Sequence, residues 1–253
     1  MFSVDERTAI REHLVSFAAE DPSIAGAALA GSAARGEEDE WSDIDLILQL
    51  SPNVSEIDVV ARWSDEIDAR FGVADTTDVM AGGVRYRVFF LASSLQIDVS
   101  FWPHDLFRAT EPGFRVLFGT PNPPTLPSAV DVQGAIGMAW LYAIHARSSL
   151  ARGRLWQATM MLDEMQHSLI TLLCVRVGLI AWHGREVDKL PTQDLAMLAA
   201  CRATGVSVEE LDRSRRLLTQ ELLREIGRHD PHRAARLARP FTTLSEPVLT
   251  PKD

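Results

Sequence analysis

The chain has 253 residues, 46% of them hydrophobic and 24% charged, which gives room for one large domain or two modest ones and excludes wholesale disorder. Its formal charge of −10 repels a phosphate backbone and so argues against a nucleic-acid partner. The same charge favours the capture of cationic small molecules near an acidic cleft.

The chain opens with Ile10, Leu14 and Phe17 at helical spacing, which predicts an amphipathic helix. The segment IAGAALAGS reads as a short buried strand running into a turn at Gly31 and Ser32. In DIDLILQL, Ile44, Leu46, Leu48 and Leu50 share one face, and Asp43, Asp45, Ile47 and Gln49 share the other. A second helix follows, with Ser55 as its N-cap and Ile57, Val60, Trp63, Ile67 and Phe71 as its apolar stripe. The period then returns to two. VRYRVFFLA and LQIDVSFW, separated by Ser93 and Ser94, predict a hairpin whose second arm puts Gln96, Asp98, Ser100 and Trp102 on one side.

Residues 119–128, GTPNPPTLPS, contain four prolines and can join neither a helix nor a central strand. They predict a linker between a domain over 1–118 and a second domain over 129–253. The second half has helical periodicity throughout: 129–152, then 154–183 closed by Gly184, then 192–204 closed by Gly205. A fourth helix starts at a capping box, Ser207 with Glu210, and runs to about Arg228; Pro231 opens a fifth. The two cysteines, Cys174 and Cys201, are too few for a disulfide framework or a cysteine-rich zinc site. The longest apolar stretch, LITLLCVRVGLIAW, is too short for a bilayer and contains Arg176, and the N-terminus lacks the form of a secretory signal. The expectation is a soluble cytoplasmic protein with no membrane partner and an α+β fold, a mixed sheet flanked by helices followed by an all-α bundle.

Asp43 and Asp45 on one face of an otherwise apolar strand repel each other, and burying both unpaired would cost on the order of several kcal/mol per charge. A divalent cation removes that difficulty. Magnesium takes hard oxygen ligands and is commonly held by a few carboxylates together with substrate phosphates. Asp98 supplies a third carboxylate if the hairpin lies beside the first acidic strand. The backbone N–H groups of the Gly31-Ser32 turn would cradle phosphate oxygens, and Arg35 would neutralise one. The alternative for Arg35 is a surface pair with Glu37 or Glu38.

Gly31, Ser32, Ala34, Arg35 and Gly36, followed by Asp43, Asp45 and Leu46, form a GSxARG…DxDL pattern that resembles the signature of the DNA polymerase β-like nucleotidyltransferase superfamily. The resemblance implies a catalytic set of Asp43, Asp45 and Asp98 holding two magnesium ions, with Gly31, Ser32 and Arg35 at the triphosphate of ATP or another nucleoside triphosphate. A catalytic domain followed by helices looks like the kanamycin, streptomycin and lincosamide nucleotidyltransferases. That likeness implies transfer of a nucleoside monophosphate, AMP in the first instance, to a hydroxyl of a small molecule, with pyrophosphate released. It also allows a homodimer. Alternatives are nucleotidylation of a protein hydroxyl, as in toxin-antitoxin systems, and a nucleotide-binding module without turnover.

A separate general base would come from Glu164, Asp163 or His145, each on a long helix, and for Glu164 a solvated helix face is the stronger reading. Arg147, Arg152, Arg154 and Trp156 suggest a binding patch less strongly than interhelical packing. The run Arg213 to Arg216 reads as solvated ion pairs with Glu209, Glu210 and Asp212. His229 and His232 lack the partners of a zinc site.

Overall fold

A computed structural model describes residues 2–110, 113–125 and 128–248. The chain divides into two compact units, residues 1–128 and 129–253.

The first unit runs α1 (Val4–Glu20), β1 (Ile24–Leu29), α2 (Gly31–Arg35), β2 (Ile44–Leu50), α3 (Glu56–Phe71), β3 (Val73–Ala81), β4 (Val84–Leu91), β5 (Gln96–Trp102) and β6 (Arg115–Phe118). The strands form one mixed sheet in the order β3-β4-β5-β2-β1-β6. β2 and β5 pair parallel at its centre, and the remaining pairs are antiparallel. One face of the sheet is buried under α1 and α3. Leu46 and Leu48 of β2 and Ile97, Val99 and Phe101 of β5 meet Leu14 of α1 and Trp63 and Ile67 of α3 there. This is the apolar side of both alternating strands, so the polar residues between them are turned to the opposite face.

Local signals account for most boundaries. Ser3 and Glu6 form a reciprocal capping box at the start of α1, and Ser55 caps α3 by accepting from the Asp58 N–H. The α3 stripe includes Val60, Trp63 and Ile67, but Ile57, in the first turn, is 74% exposed and Val59 is buried in its stead. Gly31 and Ser32 form the first turn of the short helix α2, where a turn was expected. The edge strand β3 shows no apolar alternation because it is exposed along almost its whole length. Its ladder with β4 and the salt bridges from Arg85 and Arg87 to Asp78 hold it in place. The proline-rich stretch is tied back to the first unit. The Asn122 N–H donates to the Phe107 carbonyl at 2.8 Å and the Thr125 N–H to the Ala109 carbonyl at 2.9 Å. Pro127, the last of its four prolines, lies outside the described residues.

The second unit consists of α4 (Val132–Ala151), α5 (Leu155–Val177), α6 (Thr192–Cys201), α7 (Val208–His229) and α8 (Pro231–Leu244). Its core joins Ala139, Ala143, Leu162, Leu169, Leu218 and Leu222, among others. α5 ends at Gly178 (φ 74°), ahead of the expected Gly184, because the Gly178 N–H closes onto the Cys174 and Val175 carbonyls. Two short 3-10 turns, Trp182–Gly184 and Val187–Lys189, fill the interval to α6. Only half of the expected capping box forms at α7. Ser207 accepts from the Glu210 N–H, but the Glu210 carboxylate accepts from the Thr204 N–H and hydroxyl and pairs with Arg213. Those bonds, Arg213 foremost, draw the Glu210 carboxyl down to about 2. The arginine run also departs from expectation: Arg215 is completely buried, bonded to Asp212 at 2.6 Å and to the Glu246 carbonyl. Arg176, the charge inside the long apolar stretch, joins the buried carboxylates of Asp194 and Glu225 at 2.7 Å each and so staples α5 to α6 and α7. Among the described residues no helix is long and apolar enough to cross a membrane.

Candidate active site

The face of the sheet opposite α1 and α3 carries the acidic residues. β2 and β5 pair with Asp45 opposite Asp98, and Asp43 immediately precedes β2. All three side chains are partly buried, and each offers a carboxylate oxygen within 4.8 Å of the others. Beneath them the face is closed by a smaller apolar cluster that includes Ala28, Ile47, Val84, Trp102 and Phe107. The Trp102 Nε1 donates to Ser100 Oγ at 2.9 Å, and the Gln49 Nε2 donates to the His104 carbonyl at 2.9 Å, so the polar groups of the floor are bonded among themselves.

The carboxylates are crowded from the β1 side as well. The Ala30 N–H donates to the Asp45 carbonyl at 3.1 Å, and the chain turns into α2 at Gly31 with φ 58°. A Cβ at Gly31 would lie 2.0 Å from Asp45 Oδ2, so only glycine lets the backbone pass this close. Ser32 is half-buried on the first turn of α2. Arg35, at the end of the same helix, pairs through Nε with Glu37 at 2.7 Å, the surface pair weighed for it above.

Burial pushes the Asp98 carboxyl above its ordinary value, a hydrogen bond from Gln96 Nε2 at 3.0 Å opposes the rise, and the nearby negative charge of Asp43 adds to it. Burial and the Asp43 charge thus both disfavour ionised Asp98, an imbalance that a bound cation would relieve. Three hard carboxylate oxygens at this separation are a donor set suited to magnesium and unsuited to soft metals.

The loop between α2 and β2 is held from below. Arg7, on the apolar stripe of α1 and only 2% exposed, donates through Nη1 to the Asp39 carbonyl and, at 3.1 Å, to the Ser42 carbonyl. Glu38 pairs with Arg7 and Arg11. Asp39 Oδ1 accepts from the Trp41 N–H and the Ser42 hydroxyl, each at 2.9 Å. The peptide that enters Asp43 is thus pinned by a buried guanidinium. Sequence reading passed over Arg7, although a cation three residues before Ile10 on the buried side of α1 was the available signal. It also passed over Gln96, which shares a strand face with Asp98. Glu164, Asp163 and His145, the candidates weighed for a general base, are all exposed on α5 and α4.

A central parallel strand pair with three converging carboxylates, entered from a Gly-Ser helix start, is the arrangement that the resemblance to polymerase β-like nucleotidyltransferases implies. A family model described as a nucleotidyltransferase domain matches residues 10–83, the segment of the first unit that carries β1, α2 and β2. The matched segment contains Gly31, Ser32, Asp43 and Asp45 and ends before Asp98, which joins them through the β2–β5 register. Among solved structures, an aminoglycoside 6-adenyltransferase from Bacillus subtilis is similar at 10% identity and a TM-score of 0.42, over 96% of this chain and 99% of that one. No curated protein matches the sequence.

Proposed function

We propose that the protein transfers a nucleoside monophosphate, AMP from ATP, to a hydroxyl of a small molecule in a magnesium-dependent reaction that releases pyrophosphate. The convergence of Asp43, Asp45 and Asp98 carries this reading. Magnesium ions bound there, two by the family resemblance, would activate the acceptor hydroxyl and neutralise the triphosphate, so that the incoming and departing oxygens of an in-line displacement are both stabilised. The chain's own part is positional. The β2–β5 register sets Asp45 beside Asp98, Gly31 gives Asp45 its space, and Gln96 orients one oxygen of Asp98. Ser32 and the N–H groups at the start of α2 would receive phosphate oxygens, and Arg35 would exchange Glu37 for phosphate.

The acceptor is a small molecule, aminoglycoside-like or lincosamide-like. The net charge of −10 supports a cationic acceptor and disfavours nucleic acid. In this reading residues 1–118 are the catalytic domain, 119–128 its connection, and 129–253 the helical part that shapes the acceptor pocket.

The test is label transfer from α-labelled nucleoside triphosphates in magnesium, with pools of antibiotics, proteins or RNA as acceptors and pyrophosphate release measured in parallel. The expected outcome is label on a small molecule. It should fall by about two orders of magnitude or more in Asp43→Asn and Asp45→Asn while the fold persists. Label on protein or RNA alone, or undiminished transfer by either variant, would overturn the assignment.

A further inference from the structure

Trp41 is a large apolar side chain left 69% exposed two residues before Asp43. Two residues of chain keep its Cα within about 7 Å of that of Asp43, at the entry to the strand that carries the carboxylates. Solitary exposed tryptophans are common enough to need no explanation, but this one is displayed by an expensive device. A guanidinium buried to 2% exposure is spent on two carbonyls of the loop, Asp39 and Ser42, that bracket Trp41. From inside the loop, Asp39 takes the Trp41 N–H itself. The backbone under the indole is therefore fixed before any ligand arrives, the condition under which an aromatic contact forms at low entropic cost.

Charge decides what such a platform receives. Of the four acids ahead of Trp41, Glu37 and Glu38 are paired with arginines and Asp39 is bonded within the loop. Glu40, next to Trp41, is exposed and has no hydrogen bond or ion pair among the described residues. An indole face flanked by an uncompensated carboxylate attracts cations and repels a triphosphate. We infer that Trp41, with Glu40, is the subsite that binds an amine-bearing sugar ring of the acceptor, and that it plays no part in holding the nucleotide. This inference rests on the small-molecule nucleotidyltransferase reading and adds to it the residue that selects the acceptor.

The test separates the two. Wild-type protein, Trp41→Phe and Trp41→Ala are titrated by calorimetry with a nonhydrolysable ATP analogue and Mn2+. With that analogue bound, they are then titrated with kanamycin A, streptomycin, lincomycin and neutral maltotriose. The analogue should bind all three proteins alike. At least one of the amine-bearing antibiotics should bind the wild type and Trp41→Phe comparably but Trp41→Ala about tenfold more weakly, with no binding of maltotriose. Loss of analogue binding in Trp41→Ala alone would reassign the indole to the nucleotide base and overturn the inference. So would equal antibiotic binding by Trp41→Ala, or no antibiotic binding by a protein that holds the analogue. Failure of the wild type to bind the analogue would sink the nucleotidyltransferase reading itself.

Discussion

Gly31 and Gly36 bound the same short helix and provide an internal control for the carboxylate site. Both have positive φ, 58° and 71°, so alanine at either position carries a conformational penalty of about 1 kcal/mol. They differ in what a methyl group meets. At Gly36 nothing lies within 4 Å, whereas at Gly31 the new Cβ falls 2.0 Å from Asp45 Oδ2 and 3.0 Å from its Cγ. The clash is with the end of a side chain, so Asp45 can rotate away and the fold survives, but it then leaves the other two carboxylates. Thermal or urea unfolding should therefore rank the two variants together, each about 1 kcal/mol below the wild type. Mn2+ binding, followed by electron paramagnetic resonance, should be near normal in Gly36→Ala and weaker by about tenfold or more in Gly31→Ala. Equal Mn2+ affinity in the two variants would show that Asp45 either does not move or does not ligate, and the metal assignment would lose its central member.

Arg7→Met should lower stability by about 3 kcal/mol in urea unfolding, since the loop carbonyls of Asp39 and Ser42 lose their donor, and should weaken Mn2+ binding through the displaced entry to Asp43. Asp21 is the acid-sensitive joint of the first unit. Burial works against its charge, but the hydrogen bonds from Arg62, the Ser23 N–H and Trp63 Nε1 outweigh it and hold the carboxyl below its ordinary 3.8. The folded state therefore binds fewer protons than the unfolded state in that range, and the stabilisation is complete above 3.8 and lost as pH falls through the lower folded value. Asp21→Asn should cost about 1.5 kcal/mol at neutral pH, and chemical unfolding should show that difference closing in acid. Burial pushes the Cys201 thiol up to about 11 and raises Cys174 as well. A thiol reagent at pH 8 should leave both unlabelled in native protein and modify both in guanidinium, and rapid native labelling would contradict their burial.

The carboxylate site was legible because its chemistry is written in strand alternation. Once Ile44, Leu46 and Leu48 are assigned to a core, Asp43 and Asp45 are forced to the other face, and the same argument delivers Asp98. The pairing of Asp45 with Asp98 is a fact of three-dimensional register, beyond the reach of one sequence read strand by strand. Elements that lack a buried stripe escaped: β3 is exposed along almost its whole length, and α2 is too short to show a helical period. Helix ends in the second unit were misplaced where two glycines competed, because Gly178 and Gly184 offer the same left-handed stop and only packing chooses between them. Arg7 was passed over and Arg215 misread for a common reason. A charge in sequence looks solvated, and its burial is visible only when the carbonyls and carboxylates that receive it have been brought from elsewhere in the chain.

The in-register meeting of Asp45 and Asp98 ties assembly of the sheet to its chemistry. Sliding β5 by a single position against β2 would bring Ile97 or Val99 opposite Asp45 and drive Asp98 into the apolar layer beneath α1 and α3. Such a molecule would forfeit core burial and ion capture at one stroke, so a chain that folds loosely has no route to partial activity. In a preparation of this protein, the number of titratable metal sites should count correctly zipped sheets.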